Sequence, residues 1–447
     1  MKRIYNVLCG VILLSLLLVG IISTFDKDAT FSESENRKLK ERPKLTFSGL
    51  LDGSYTEEYR AYYADTFPNR EKLMKSNVTL NNFYYFSILG KDSTQLVVNF
   101  DTNAAQHGES LKDPEATTGT QDATGSTDPT EPTEKIPVQT EPAGKAEQLG
   151  AVVLIGDSAF DVPSADRTRI EEYAAAVTAI ATELGDDVQT ISMPVPNSAE
   201  FYTKKEHHTG SHSQSAMFDV CRENLGSNVT YVDAYTELAK HTEEYIYFRT
   251  DHHWTHLGAY YAYTALCKTL GYTPATLNQF QTGQWDNFVG SLYTYISNYP
   301  QAQVLKNNPD TVYYWKPFAN CTTKYYSDTT LSDPVLMGTV CVIREEVDNK
   351  YLTFMGGDHP VTIVETDTDG PCILVIKESY GNALISWLTS NYSKIILIDP
   401  REYFRIRDDI NLKEFAEAQG VDQCLVINYP MMLNSEGYIG QLKRLIQ

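Results

Sequence analysis

The chain has 447 residues, with 37 Lys and Arg against 58 Asp and Glu, for a formal charge of −21. That acidity excludes nucleic acid as the principal partner, because phosphate backbones are held by Lys and Arg. Apolar residues at 42% and aromatics at 11% exclude a disordered polymer, and the length allows two or three domains with a large core. At the amino end, Lys2 and Arg3 precede an uncharged run over 4–24, about the length that crosses a bilayer as a helix. Basic residues before it and Asp26 and Asp28 after it orient the remainder outward. No A-x-A-like cleavage site follows, so the run is expected to stay as an uncleaved signal-anchor, residues 1–25. The expected location is the cell membrane, single-pass, with the main domain extracytoplasmic.

Residues 26–100 read as a helical stalk packing on the main domain, with helical patterns on both sides of Phe67-Pro68. Residues 101–148 hold nine Thr, five Pro and no aromatic, with ten acidic and three basic residues, a net −7. Such a tract cannot bury enough apolar surface to offset its ordering entropy, and it reads as a disordered acidic insert. From 149 to 447 short apolar runs alternate with helical patterns. Strands are expected at 151–155 (AVVLI), 188–193, 228–233, 372–376 (CILVI), 394–399 and 424–428. Helices are expected at about 167–185, 214–225, near 240, from Thr255 to about 271, 381–390 and 412–419. The span 272–370 reads as an irregular insertion. This alternation implies an α/β fold with a mostly parallel sheet and helices on both faces.

Of seven cysteines, Cys9 falls in the apolar run, and no two of the others form C-x-x-C, so structural zinc has no support. Three places carry chemistry-bearing residues near expected strand ends, where α/β sheets gather function. They are Gly156-Asp157-Ser158 after AVVLI, the loop Arg249-Thr250-Asp251-His252-His253-Trp254-Thr255, and Lys377-Glu378-Ser379-Tyr380-Gly381-Asn382 after CILVI. Asp251 and His253 are spaced as the orienting acid and the base of a hydrolytic triad. Asp251 could instead cap the following helix. Asp251, His252, His253 and His256 could also share a metal, although adjacent side chains rarely converge on one ion. His207, His208 and His212 read as surface residues.

Two serines compete for the nucleophile. Gly-Asp-Ser after a strand opens the SGNH esterase pattern and favours Ser158, but those enzymes need Asp-x-x-His near the carboxyl end, and Trp254 stands where that His would fall. Ser379 lies on a strand–turn–helix corner, where backbone amides can stabilise an oxyanion; locally it could equally be a helix N-cap.

The segment YFRTDHHWTHLGAYYAY (247–263) resembles the DHHW family of exported bacterial proteins, which are similar to the alginate O-acetyltransferases and SGNH-type proteins. SESENRKLKERPKLTF (32–47), DTFPNR (65–70), TFMGGDHP (353–360), VIKESYGNALISWL (375–388) and IDPREYF (398–404) fit the same pattern. The resemblance implies an SGNH-hydrolase-like fold and a triad of Ser379 as nucleophile, His253 as base and Asp251 as orienter, with Ser158 carrying no role. Glu378 stands where the family more often has Asp. The implied activity is a serine-dependent O-acetyltransferase acting on a cell-envelope or exopolysaccharide through an acyl-serine. Gly381 and Asn382 would be oxyanion donors, Trp254 and Arg249 would bind substrate, and the 30 tyrosines offer rings for sugar stacking. Neither a cofactor nor a metal is implied. The implied partners are a polysaccharide acceptor and a multi-pass membrane acyltransferase that hands the acyl group outward. The alternatives are a carbohydrate acetylesterase with the same triad, and a non-catalytic polysaccharide-binding or assembly component.

Overall fold

The computed structural model describes residues 31–32, 37–38, 42–46, 54–66, 138–204, 213–332, 334, 336–338 and 347–447. The expected anchor at 1–25, the acidic insert up to residue 137, and His207, His208 and His212 lie outside the described residues. Among the described residues no helix is long and apolar enough to cross a membrane. The chain divides into two units, residues 1–109 and 110–447. In the first, β1 (Phe31–Ser32) pairs antiparallel with β2 (Arg37–Lys38), and a helix spans Ser54–Thr66. The rings of Tyr55, Tyr59 and Tyr62 follow one another along it as tilted pairs 5.8 and 5.6 Å apart. The helical pattern after Phe67-Pro68 lies outside the described residues.

The second unit is built on two sheets and a hairpin. β3 (Ala146–Leu149), β4 (Val152–Ile155) and β5 (Ser158–Asp161) form an antiparallel meander. The large sheet uses β6 (Gln189–Pro194), β7 (Val229–Tyr231), β10 (Cys321–Tyr326), β11 (Leu336–Gly338), β12 (Val361–Thr366), β13 (Cys372–Lys377), β14 (Lys394–Ile398) and β15 (Gln423–Asn428). Between β7 and β10 in sequence, β8 (Gln281–Phe288) and β9 (Asp310–Lys316) form the separate hairpin.

The large sheet has the order β11-β10-β12-β14-β13-β15-β6-β7. Pairings from β14 through β13, β15 and β6 to β7 are parallel, and those from β14 through β12 and β10 to β11 are antiparallel. The central strands come from β-branched and apolar runs buried on both faces. Alternate residues serve opposite cores: Ile373, Val375, Ile395, Leu397, Leu425 and Ile427 pack on one side, and Leu374, Ile376, Ile396, Ile398, Cys424 and Val426 on the other. Helices His256–Leu270 and Asn382–Leu388 cover the first side, and helices Arg167–Leu184, Gln214–Asn224 and Glu436–Arg444 cover the second.

Two sequence expectations are corrected. AVVLI is β4 of the meander, not a strand of the parallel sheet. A short apolar run reads the same in either setting, but Gly150-Ala151 and Gly156-Asp157 are two-residue hairpin turns. Both glycines adopt positive φ, 62° and 59°. The span 272–370 is not irregular: it holds the β8–β9 hairpin and supplies β10, β11 and β12, the antiparallel half of the large sheet. Its Tyr, Thr and Asn content hid strands that are paired on both sides yet only partly apolar, as CTTKYY shows.

Candidate active site

The site forms at the carboxyl end of β13, inside the parallel half of the sheet. β13 ends at Lys377, and the chain turns through a tight 3-10 turn, Ser379–Gly381, into helix Asn382–Leu388. The Glu378 carboxylate accepts the Tyr380 amide at 2.9 Å and the Tyr429 amide at 3.2 Å, tying the corner to the end of β15. Burial raises the Glu378 pKa, with Arg401 and these amides pulling the other way. Gly381 permits the corner, since a Cβ there would lie 2.7 Å from Lys377 Cβ.

Opposite stands the 249–255 loop, which leads into helix His256–Leu270. Thr255 caps that helix by accepting the Gly258 amide at 3.2 Å, while its own hydroxyl donates to the Tyr245 carbonyl at 2.7 Å. Two buried carboxylates shape the loop. Asp310 accepts the Thr250 amide at 2.8 Å, the Thr250 hydroxyl at 2.6 Å and the Tyr245 hydroxyl at 2.5 Å. Asp251 accepts the His253 amide at 2.9 Å on one oxygen and the Ser291 amide at 2.7 Å on the other.

These two elements bring three side chains into line. His253 Nδ1 lies 2.6 Å from Asp251 Oδ1, and His253 Nε2 lies 2.8 Å from Ser379 Oγ. All three are buried, with Ser379 1% and His253 3% exposed. Burial opposes ionisation of Asp251, yet the facing His253 and its hydrogen bond, His252 and the Ser291 amide together hold its carboxyl well below the usual range. An ionised Asp251 fixes the proton of His253 on Nδ1, leaving Nε2 free to accept from Ser379.

Tyr351 braces both partners. Its ring stacks on the His253 imidazole at 3.8 Å and 10°, and its hydroxyl donates to the Ser379 carbonyl at 2.9 Å. Trp254 is a second tie: its indole nitrogen donates to the Tyr380 carbonyl at 2.9 Å. Thus adjacent residues of the loop hold adjacent residues of the corner.

Several expected roles are corrected by these contacts. Trp254 is fully buried and offers no face to a sugar; it fastens loop to corner. The Arg249 guanidinium is engaged by Asp157 at 2.5 Å, Asp310 at 3.3 Å and the carbonyls of Asn308 and Pro309, so it braces the loop. The Gly381 amide donates to the Glu378 carbonyl at 2.9 Å and so is committed elsewhere, while the Asn382 side-chain amide spends one of its two N–H groups on Asp358 at 2.8 Å. Ser158 starts β5, and its hydroxyl meets Asp157 at 3.4 Å.

His256 leaves the histidine cluster. Its Nε2 lies 2.5 Å from Ser386 Oγ, its Nδ1 accepts the Trp315 amide at 3.0 Å, and burial pushes its pKa well down. Asp251, His252 and His253 remain close enough to share a cation, with candidate ligand atoms within 4.8 Å of one another. A cation there would compete with the Asp251–His253 bond.

Sequence reasoning missed Tyr351, Ser291, Asp310 and a buried charge network behind the nucleophile. In that network Lys377 Nζ lies 2.6 Å from Asp358, and Arg401 reaches Asp358 at 2.6 Å and Asp399 at 2.7 Å. The intact Lys377 beside Glu378 and the Asp in TFMGGDHP were the available signals.

The chain is similar to several solved structures, among them the following two. A DHHW family protein from Eubacterium siraeum is 26% identical, covering 68% of this chain and 100% of that chain with a TM-score of 0.61. Bacillus cereus PatB1, solved with a sulfonyl adduct, is 16% identical and shares the fold, covering 64% of this chain and 97% of that chain with a TM-score of 0.52. No curated protein matches. The sequence pattern of the DHHW protein family spans residues 127–398, which includes both the 249–255 loop and the Ser379 corner it faces. That is well over half of the molecule, and the chain belongs to the DHHW family.

Proposed function

We propose that this protein is a serine-dependent O-acyltransferase that acetylates a cell-envelope or secreted polysaccharide outside the membrane. The observation that carries the reading is the unbroken run Asp251–His253–Ser379, with 2.6 and 2.8 Å links. His253 Nε2 takes the Ser379 proton as Oγ attacks the acyl carbon of a donor ester; the donor's C–O bond breaks, and its alcohol leaves with that proton. A sugar hydroxyl then attacks the acyl-Ser379, its proton passing to His253 and on to Ser379 Oγ as the serine ester bond breaks. The Ser379 amide, first in its turn and so without an acceptor in it, is the backbone oxyanion donor. The sulfonyl adduct of PatB1, which shares this fold, is what a sulfonyl reagent leaves on a strong nucleophile. Acyl transfer is favoured over hydrolysis because the triad is almost shut off from bulk water.

The acyl donor is a multi-pass acyltransferase in the same membrane, and the apolar run at 4–24 holds the protein beside it. Ser379→Ala and His253→Ala should each lower cleavage of an activated acetyl ester by on the order of 10⁶, while Ser158→Ala should retain it. A sulfonyl fluoride should label Ser379; labelling of Ser158 instead would overturn the assignment. Acetylated oligosaccharide should form from donor ester and acceptor, and deleting residues 1–25 should release the protein from sedimented membranes.

A further inference from the structure

Two imidazoles face one another in the site with unequal engagement. His253 has both ring nitrogens committed, one to Asp251 and one to Ser379. The ring of His252 lies 3.8 Å from that of His253. Its Nδ1 sits 2.5 Å from Ser291 Oγ, and its own amide donates to the same hydroxyl at 3.4 Å. Those two bonds pin the ring. Its Nε2 is buried and meets no hydrogen-bond partner among the described residues; the centre of its ring lies 6.1 Å from that of Tyr380 and 5.8 Å from that of Tyr429. Burial, then the neighbouring His253, pushes the His252 pKa down to about 3, so the ring is neutral. Burying such an atom without a partner leaves its desolvation uncompensated, and a ligand that bonds it recovers that loss.

We infer that His252 positions the acceptor: its Nε2 hydrogen-bonds a second hydroxyl of the sugar, next to the hydroxyl that His253 deprotonates. The site then selects vicinal diols over simple alcohols and water. This rests on the acyltransferase reading above. A hydroxyl is the group that fits. Depending on the tautomer, Nε2 donates or accepts, and a hydroxyl can answer either, whereas a carbonyl or carboxylate oxygen can only accept. Neighbouring hydroxyls of a sugar ring lie a hydrogen-bond length apart, which two adjacent imidazoles 3.8 Å apart can serve together. His252 exchanges no proton in the step; the proton of the attacking hydroxyl passes to His253, and the bond to Ser379 Oγ breaks as before. His252 is therefore a positioning residue.

The test is competition between methyl glucoside and ethanol for the acyl group of an activated acetyl ester, using the full chain. The unaltered protein should acylate the glucoside in preference. His252→Asn keeps an amide where Nδ1 was and removes the Nε2 position; His252→Gln places an amide near the Nε2 position. His252→Asn should lower the glucoside-to-ethanol product ratio about tenfold, the scale of one hydrogen bond, and His252→Gln should restore part of it. The ratio is read within each variant, so a loss of folded protein or of Ser379 reactivity cancels. An unchanged ratio in His252→Asn overturns the inference while leaving the transferase standing. Ester cleavage by the unaltered protein with no acylated glucoside or ethanol overturns the transferase reading and this inference with it.

Discussion

Asp251 shows how much one side chain does here. One carboxylate oxygen sets both the His253 backbone and its ring, and the other takes the Ser291 amide. An amide in its place can present only one acceptor and no charge, so the imidazole loses its fixed tautomer. Asp251→Asn should cut ester cleavage by on the order of 10³–10⁴ while circular dichroism shows the fold retained; a rate near that of the unaltered protein would break the triad. Tyr351 acts on two partners at once, by ring stacking on His253 and by its hydroxyl on the Ser379 carbonyl. Tyr351→Phe keeps the stack and should lower kcat a few-fold, whereas Tyr351→Ala should lower it further and change the pH profile. Equal effects of the two would assign everything to the hydroxyl.

Between elements, the decisive contacts are close approaches that tolerate no extra atom. Gly290 packs so tightly on Asp251 that a Cβ there would lie 2.2 Å from the Asp251 Cβ. Gly290→Ala should therefore push the carboxylate off His253. The expected result is a stability loss of about 1–3 kcal/mol with a larger proportional loss of activity, compared by urea unfolding and ester cleavage on the same preparation. Trp254→Phe removes the indole donor from the Tyr380 carbonyl and leaves a void, at about 2–4 kcal/mol. Behind the corner, Lys377→Met would leave Asp358 and Asp399 with Arg401 as their remaining cation among the contacts described. Breaking such a buried set costs about 3–5 kcal/mol, which the urea midpoint would show.

For the molecule as a whole, acid is the condition to which this design is exposed. His252 and His256 are held neutral in the fold by burial, one at about 3 and the other well below its ordinary value. The unfolded chain takes up protons at these positions below about pH 6.5, and the folded chain does not. Their contribution is thus whole above that value and falls as pH drops toward the folded values, by up to about 1.4 kcal/mol per pH unit for each histidine. Asp251, held low, adds its own loss below the carboxylate range. Buried carboxyls whose values are raised, Asp161, Glu378 and Glu402, act in the opposite sense because the fold takes up their protons more readily than the unfolded chain does. The histidine share is therefore read by difference: the slope of urea midpoint against pH between pH 7 and about pH 4.5 should be less positive in His256→Gln than in the unaltered protein, whatever the effect at pH 7. An unchanged slope in that variant would remove His256 from the account.

Much of this was legible in the residues themselves. CILVI, KIILI and CLVI carry the period-two, doubly buried pattern of central strands, and Thr255 with Gly271 bounds its helix in plain view. The loop motif and the strand–turn–helix corner offered Asp251, His253 and Ser379 as candidates, because spacing and turn chemistry are local properties, but local sequence left Ser158 and a helix N-cap open and the family resemblance chose Ser379. What stayed hidden depends on long-range partners. AVVLI carries no sign of which sheet it joins, and CTTKYY becomes a strand only because β11 and β12 pair with it. Trp254 and Arg249 resemble substrate-binding groups in sequence. They became braces because the fold places Tyr380 and Asp310 within hydrogen-bonding distance of them. Residue type and spacing determined which chemistry the chain could perform. Tertiary structure alone decided which polar groups have their bonds satisfied internally and which, like His252 Nε2, do not. The reason is that satisfaction of a buried donor or acceptor is set by atoms brought together from distant parts of the chain.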